Sequence, residues 1–221
     1  MNRLIFACDF EDKESLMNCL KKMKFVEKPI LKIGYQLFLT YGMELIRELK
    51  NEGYKIFLDL KICDTENTVK NIISKLNSEH IDYLTIYCGS GLNSLKLAHK
   101  KFKNKLLAVL LLTSMDENDT KDIYRTSFYK SSLRYFEKLT KIGYLNFVCS
   151  TDVAKKLKKI NEKASFYCPG SFFYNQNKDQ VQGRKFLKSM KDYVDFFIVG
   201  REIINAENPR VIYNRISKKV S

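Results

Sequence analysis

The chain has 221 residues, enough to bury one substantial core and too few for two full domains, so one domain spanning 1–221 is expected. Apolar residues at 45% and charged residues at 29% exclude a disordered or fibrous chain. A formal charge of +14, from 39 Lys and Arg against 25 Asp and Glu, points to an anionic partner without choosing among a phosphorylated metabolite, a nucleic acid and a membrane surface.

The first apolar run, Leu4–Cys8, is too short for a secretory signal core and is closed by Asp9. It reads as a strand, and Lys13–Met23 follows with helical spacing of its apolar residues. The pattern then repeats. Strand Ile30–Ile33 precedes helix Gly42–Asn51, strand Ile56–Leu60 precedes helix Glu66–Leu76, and strand Tyr83–Tyr87 precedes helix Leu92–Lys101. Strand Leu106–Leu112 is followed by helix Ser132–Ile142, and strand Asn146–Cys149 by helix Asp152–Lys159, with Asp152 as its cap after Ser150 and Thr151. The last two units pair strand Ser165–Tyr167 with helix Gly183–Lys191, and strand Phe196–Val199 with helix Pro209–Ser217.

Eight strands that are apolar at successive positions and separated by helices predict an α/β fold with a parallel sheet covered on its faces, a (β/α)8 or TIM barrel. An open doubly wound sheet is the alternative, since periodicity does not report closure. No segment reaches the ~18 apolar residues of a membrane span. The six cysteines show no C-x2-C spacing and lie in or beside apolar runs, as reduced thiols of a cytoplasmic protein do.

Barrels of this kind carry their chemistry at the C-terminal ends of the strands. Asp9, Lys32, Asp59 with Lys61, Ser114, Pro169-Gly170 and Gly200-Arg201 all fall there. Asp59 and Lys61 share a strand face because side chains repeat every two residues. With Lys32 arriving from the neighbouring strand, the charges alternate, each Lys is held by an acid, and a protonated Lys is able to donate a proton. On spacing alone the cluster is also readable as a structural ion pair. Taken singly, Pro169-Gly170 is equally a plain turn, Gly200-Arg201 a surface loop and Ser114 a helix cap.

The run Asp59-Leu60-Lys61-Ile62-Cys63-Asp64-Thr65-Glu66-Asn67-Thr68 resembles the D-x-K-x-x-D-x-x-x-T signature of the orotidine-5′-phosphate decarboxylase family. Leu31–Tyr35, Ala7–Phe10, Leu112–Met115, Cys168–Gly170 and Val199–Arg201 resemble other segments of that family, in the same order. The resemblance implies decarboxylation of orotidine 5′-monophosphate to UMP without metal or other cofactor. Asp59 would face the substrate carboxylate and Lys61 would protonate C6. It also implies that Lys32 and Asp9 hold ribose hydroxyls, that Ser114 binds the pyrimidine amide edge, and that Pro169, Gly170, Gly200 and Arg201 surround the phosphate. The start of the helix after Gly200 would add a favourable dipole there. Gln180 would bridge phosphate and base, with Gln176 and Gln182 as the alternatives. The long loop around these glutamines would close over the substrate as a lid. Asp64 and Thr68 would reach the site of the other subunit in a homodimer. The chain departs from the family pattern at Thr65-Glu66, where an apolar residue and Pro are usual, and at Cys63.

Two rival readings are a Mg2+-dependent sugar-phosphate decarboxylase or aldolase of the same superfamily and a basic nucleic-acid-binding protein. The first carries an acid where this chain has Lys32, and a cation there repels Mg2+. The second draws on the +14 charge and on 15 Phe and 13 Tyr, most of which lie inside strands and helices. His80 and His99 fall in helices or at helix ends, away from the strand ends.

Overall fold

The computed structural model describes residues 3–25, 27–76, 79–174 and 181–221. In chain order its strands are β1 (Leu4–Ala7), β2 (Ile30–Gly34), β3 (Lys55–Ile62), β4 (Tyr83–Tyr87), β5 (Leu106–Val109), β6 (Asn146–Val148), β7 (Ser165–Pro169), β8 (Ser171–Phe172), β9 (Arg184–Lys185) and β10 (Phe196–Val199). All except β8 and β9 form one closed parallel barrel, in which β10 pairs with β7 on one side and β1 on the other. Closure runs through Leu4 opposite Phe197 and Ile5 opposite Ile198, which decides against an open sheet.

Alternation along each strand divides the core in two. Leu4 and Phe6 of β1 pack outward with the helices, whereas Ile5 and Ala7 join an interior cluster with Ile30, Phe57, Val109 and Ile198. Rings of Phe57, Tyr83, Tyr167 and Phe196, with centroids 4.7–6.3 Å apart, fill the barrel at the level of these residues. The barrel is therefore solid below its mouth.

The surrounding helices are α1 (Lys13–Met23), α2 (Tyr35–Asn51), α3 (Glu66–Lys75), α4 (Leu92–Phe102), α5 (Glu117–Tyr124), α6 (Phe128–Lys141), α7 (Thr151–Lys158), α8 (Arg201–Ile204) and α9 (Pro209–Val220). Their apolar faces explain them. In α1, Leu16, Leu20 and Met23 are buried on one side, and the Asp12 carboxylate caps the first turn by accepting from the Ser15 N–H at 2.7 Å. Among the described residues no helix is long and apolar enough to cross a membrane. All six cysteines are free thiols, with Cys8, Cys88, Cys149 and Cys168 buried.

Several segments differ from the sequence expectations; α5, α8, β8 and β9 were not expected, and four expected features take another form. No α-helix forms over 183–191, because the N–H of Arg184 donates to the Gly170 carbonyl and that of Phe186 to Phe172, drawing the chain alongside β8. A 3-10 turn at Lys188–Asp192 follows. The cap of α7 is Ser150, not Asp152, which instead accepts from the Arg184 guanidinium at 2.8 Å. β5 stops at Val109, and the chain turns so that the Met115 N–H donates to the Leu112 carbonyl. Finally, α2 begins seven residues earlier than expected, at Tyr35, with a break at Gly42 (φ 55°, ψ −149°).

Candidate active site

At the C-terminal mouth of the barrel four charged side chains alternate in sign. Lys32 Nζ of β2 lies 3.0 Å from Asp9 Oδ1, just beyond β1, and 3.6 Å from Asp59 Oδ2 of β3. Lys61 Nζ lies 2.9 Å from the same Asp59 oxygen. Asp59 is only 8% exposed, so it needs these partners. Burial alone raises its carboxyl pKa, but Lys32 and Lys61 outweigh that and hold it below the usual carboxylate value. For Lys32, burial pushes the ammonium down while Asp59 and Asp9 push it up, and the net direction is up. Asp59 is therefore ionised and Lys32 protonated at neutral pH.

β3 reaches this arrangement through an irregularity that period-2 spacing does not contain. Leu58 pairs with Leu84, yet the next pair is Ile62 with Ile86, so β3 bulges against β4 over 59–61. Within the bulge Lys61 takes φ 40°. The wholly buried Thr85 of β4 faces it, donating its hydroxyl to Asp59 Oδ1 at 2.9 Å and accepting from the Lys61 N–H at 2.8 Å. Sequence reasoning passed over Thr85. Its signal was the one small polar side chain, a threonine, between two tyrosines on the inward face of the strand Tyr83–Tyr87.

Ser114, Pro169, Gly170, Gly200 and Arg201 line the same cavity of about 260 Å³ as Asp9, Lys32, Asp59 and Lys61, over a floor that includes Phe57 and Ile198. Gly200 is required by closeness: a Cβ there would lie 2.9 Å from the Ala7 carbonyl oxygen and 3.2 Å from Asp9 Oδ2. Arg201 opens α8, which has only four residues, so the helix dipole expected after Gly200 is slight and Arg201's charge dominates.

Two side chains act as anchors, Glu202, which the sequence did not single out, and Gln182, which it offered only as an alternative phosphate contact. Glu202 accepts from the backbone N–H groups of Phe173, at 3.0 Å, and of Tyr174. Gln182 donates through its backbone to Thr113 and through its side chain to Met115, at 3.0 and 3.1 Å, holding the turn that carries Ser114. Gln182 is thereby engaged, while Gln176 and Gln180 fall outside the described residues.

Asp64 and Thr68 do not line the cavity. Asp64 is exposed and accepts from the Thr65 N–H at 2.6 Å, and Thr68 shares a hydroxyl contact with Thr65 at 3.1 Å. An adjoining hollow, bordered by Gly34, Tyr35 and Leu37, opens onto the same four charged residues. His99 stacks on Tyr144 at 4.6 Å, far from this chemistry in the chain's layout, and burial lowers its pKa. Among the described residues no three His, Cys, Asp or Glu side chains converge as a metal ion would require.

The family model described as orotidine 5′-phosphate decarboxylase / HUMPS matches residues 2–216. The chain belongs to this family. A protein of Streptococcus sanguinis named orotidine 5′-phosphate decarboxylase is 32% identical, over 98% of this chain and 97% of its own length. One of the same name from Oenococcus oeni is 31% identical, over 98% of each. Among solved structures, the orotidine 5′-phosphate decarboxylase of Lactobacillus acidophilus superposes with a TM-score of 0.83 at 27% identity, over 100% of both chains. That of Thermotoga maritima gives 0.77 at 27%, over 97% of this chain and 98% of its own. The decarboxylase family thus accounts for the whole barrel, and the charged cluster sits where its strands end.

Proposed function

We propose that this protein converts orotidine 5′-monophosphate to UMP in pyrimidine biosynthesis, without metal, and that Lys61 supplies the proton that replaces CO2. The observation that carries this reading is the run Asp9, Lys32, Asp59, Lys61, in which Lys61 Nζ stands 2.9 Å from a buried, ionised acid. The names of the relatives point to the same reaction.

The chemistry follows from the charges. A substrate carboxylate placed beside Asp59 is repelled by it, and expulsion of CO2 relieves that repulsion. The electron pair of the broken C–C bond stays on C6, next to the Lys61 ammonium, which stabilises it and then transfers a proton to form the C–H bond. Solvent reprotonates Lys61. Lys32 and Asp9 would bind ribose hydroxyls, Ser114 the pyrimidine amide edge, and Gly170, Gly200 and Arg201 the phosphate. Gln180 would bridge phosphate and base.

Metal independence is supported by Lys32, whose ammonium sits between Asp9 and Asp59 where a divalent cation would need to bind. A nucleic-acid interface finds little support: among the described aromatic residues only Tyr35 and Tyr174 are markedly exposed. The cavity, near the lower limit of ligand pockets, suits a single nucleotide. A homodimer is supported by Asp64 and Thr68 standing outside their own cavity, by the exposed Tyr35 at the second hollow and by the exposed Leu39 further along α2.

The test is loss of orotate absorbance when EDTA-treated protein meets orotidine 5′-monophosphate, with Lys61→Ala alongside. Wild-type turnover without metal is expected, with a fall of about 10²–10⁴-fold or more in the variant. Turnover only with Mg2+ and a sugar phosphate would overturn the reading.

A further inference from the structure

We infer that Thr85 is a positioning residue for the decarboxylation: its one hydroxyl ties the Asp59 carboxylate to the Lys61 backbone and so sets the geometry between acid and proton donor. The inference rests on the proposed roles of Asp59 and Lys61.

Residues 59–61 have no paired partners on β4, since the ladder passes from Leu58 opposite Leu84 to Ile62 opposite Ile86. A bulge of this kind leaves backbone groups in need of partners and the strand free to bend. Thr85 fills the gap with both of its hydrogen-bonding capacities. Its proton goes to Asp59 Oδ1 at 2.9 Å and a lone pair receives the Lys61 N–H at 2.8 Å. The other carboxylate oxygen of Asp59 is left to Lys61 Nζ and Lys32 Nζ. Each oxygen of the acid is therefore directed, one by a rigid β-branched side chain inside the barrel wall and one by the two ammonium groups. Because Lys61 sits at φ 40°, its backbone is in a conformation that surrounding contacts must enforce, and the Thr85 hydroxyl makes one of them. Thr85 is wholly buried and does not line the cavity, so it acts through Asp59 and Lys61 and not on substrate.

Thr85→Val keeps the shape and removes both hydrogen bonds, while Thr85→Ser keeps the hydroxyl. In the decarboxylation assay we expect Thr85→Val to lower kcat by about 10- to 100-fold with KM changed by less than about threefold, and Thr85→Ser to recover most of the loss. A pH signature separates positioning from packing. Asp59 faces Lys32 from β2 and Lys61 from β3, with Asp9, just beyond β1, behind Lys32 and Tyr35 of α2 nearby, and none of these changes in the variants. The lost Thr85 bond favoured the ionised carboxylate, so its absence raises the Asp59 pKa and moves the acid limb of kcat/KM to higher pH in Thr85→Val but not in Thr85→Ser. Titration of the 13C-labelled Asp59 carboxyl reads the same shift without turnover. Wild-type kcat and Asp59 titration in Thr85→Val, or equal impairment in Thr85→Ser, would overturn the inference. An inactive wild type whose Asp59 titration still moves in Thr85→Val would instead refute the reaction and leave the positioning standing.

Discussion

Lys61 has a positive φ, and so do Lys24, Lys103 and Arg125, but those three terminate helices α1, α4 and α5; Lys24 and Arg125 are left-handed caps, where that conformation is ordinary, and Lys103 ends α4 at φ 43° and ψ −120°. Lys61 lies inside a strand. A non-glycine residue there costs about 1–2 kcal/mol, a strain located at the proposed proton donor. Gly200 represents the opposite case, a residue chosen for what it lacks. Its Cα packs so tightly on the end of β1 that a methyl group would meet the Ala7 carbonyl oxygen at 2.9 Å. Backbone cannot step aside as a flexible side chain can. Gly200→Ala is therefore expected to push β10 from β1 and shift Arg201 relative to Asp9, lowering kcat/KM by about 10- to 100-fold. Steady-state kinetics beside a thermal melt checks this, and an unchanged kcat/KM would show that the Arg201 end of the cavity tolerates the displacement.

The barrel strands were legible in the sequence because each is a short, continuous apolar run, and burial on both faces demands that composition. What escaped was structure set by hydrogen bonds and backbone geometry. α5 contains little apolar surface and is started by a capping box in which Asp116 and Asp119 each accept the other's backbone N–H. The stretch 183–191 has helical spacing, but the N–H groups of Arg184 and Phe186 donate to the carbonyls of Gly170 and Phe172. In the site, Asp9, Lys32, Asp59 and Lys61 were readable from position at strand ends, whereas the bonds of Thr85, Glu202 and Gln182 run to partners distant in sequence, so their anchoring roles leave no local spacing pattern. The first half of α2 was hidden by Gly42, whose φ of 55° and ψ of −149° break the helix. A Cβ at Gly42 meets nothing within 4 Å, so substitution carries only a backbone penalty. Gly42→Ala is expected to destabilise the fold by about 1–3 kcal/mol, with each kcal/mol lowering Tm by roughly 2–4 °C. A melting temperature equal to that of the wild type would mean that α2 straightens without cost.

On the scale of the whole molecule, a net charge of +14 raises the local concentration of a phosphorylated substrate around a mouth that itself holds Lys32, Lys61 and Arg201. The barrel supplies nearly everything to that mouth, yet Asp64, just before α3, and Thr68, in its first turn, lie outside it. They fit the proposed chemistry if a second copy brings them to the hollow beside Tyr35 and Leu37, covering the 79%-exposed Leu39 elsewhere on α2. A two-fold axis would make each such site composite, with Lys61 from one chain and Asp64 from its partner. Lys61→Ala and Asp64→Ala homodimers should then both be inactive. Mixed and reassociated at random, half of the dimers combine one chain of each kind, and each of these holds one intact site beside one doubly damaged site. Activity should rise to ~25% of the wild-type level per site. A mixture no more active than its components, after exchange verified by mass, would place Asp64 in the site of its own chain or outside the reaction.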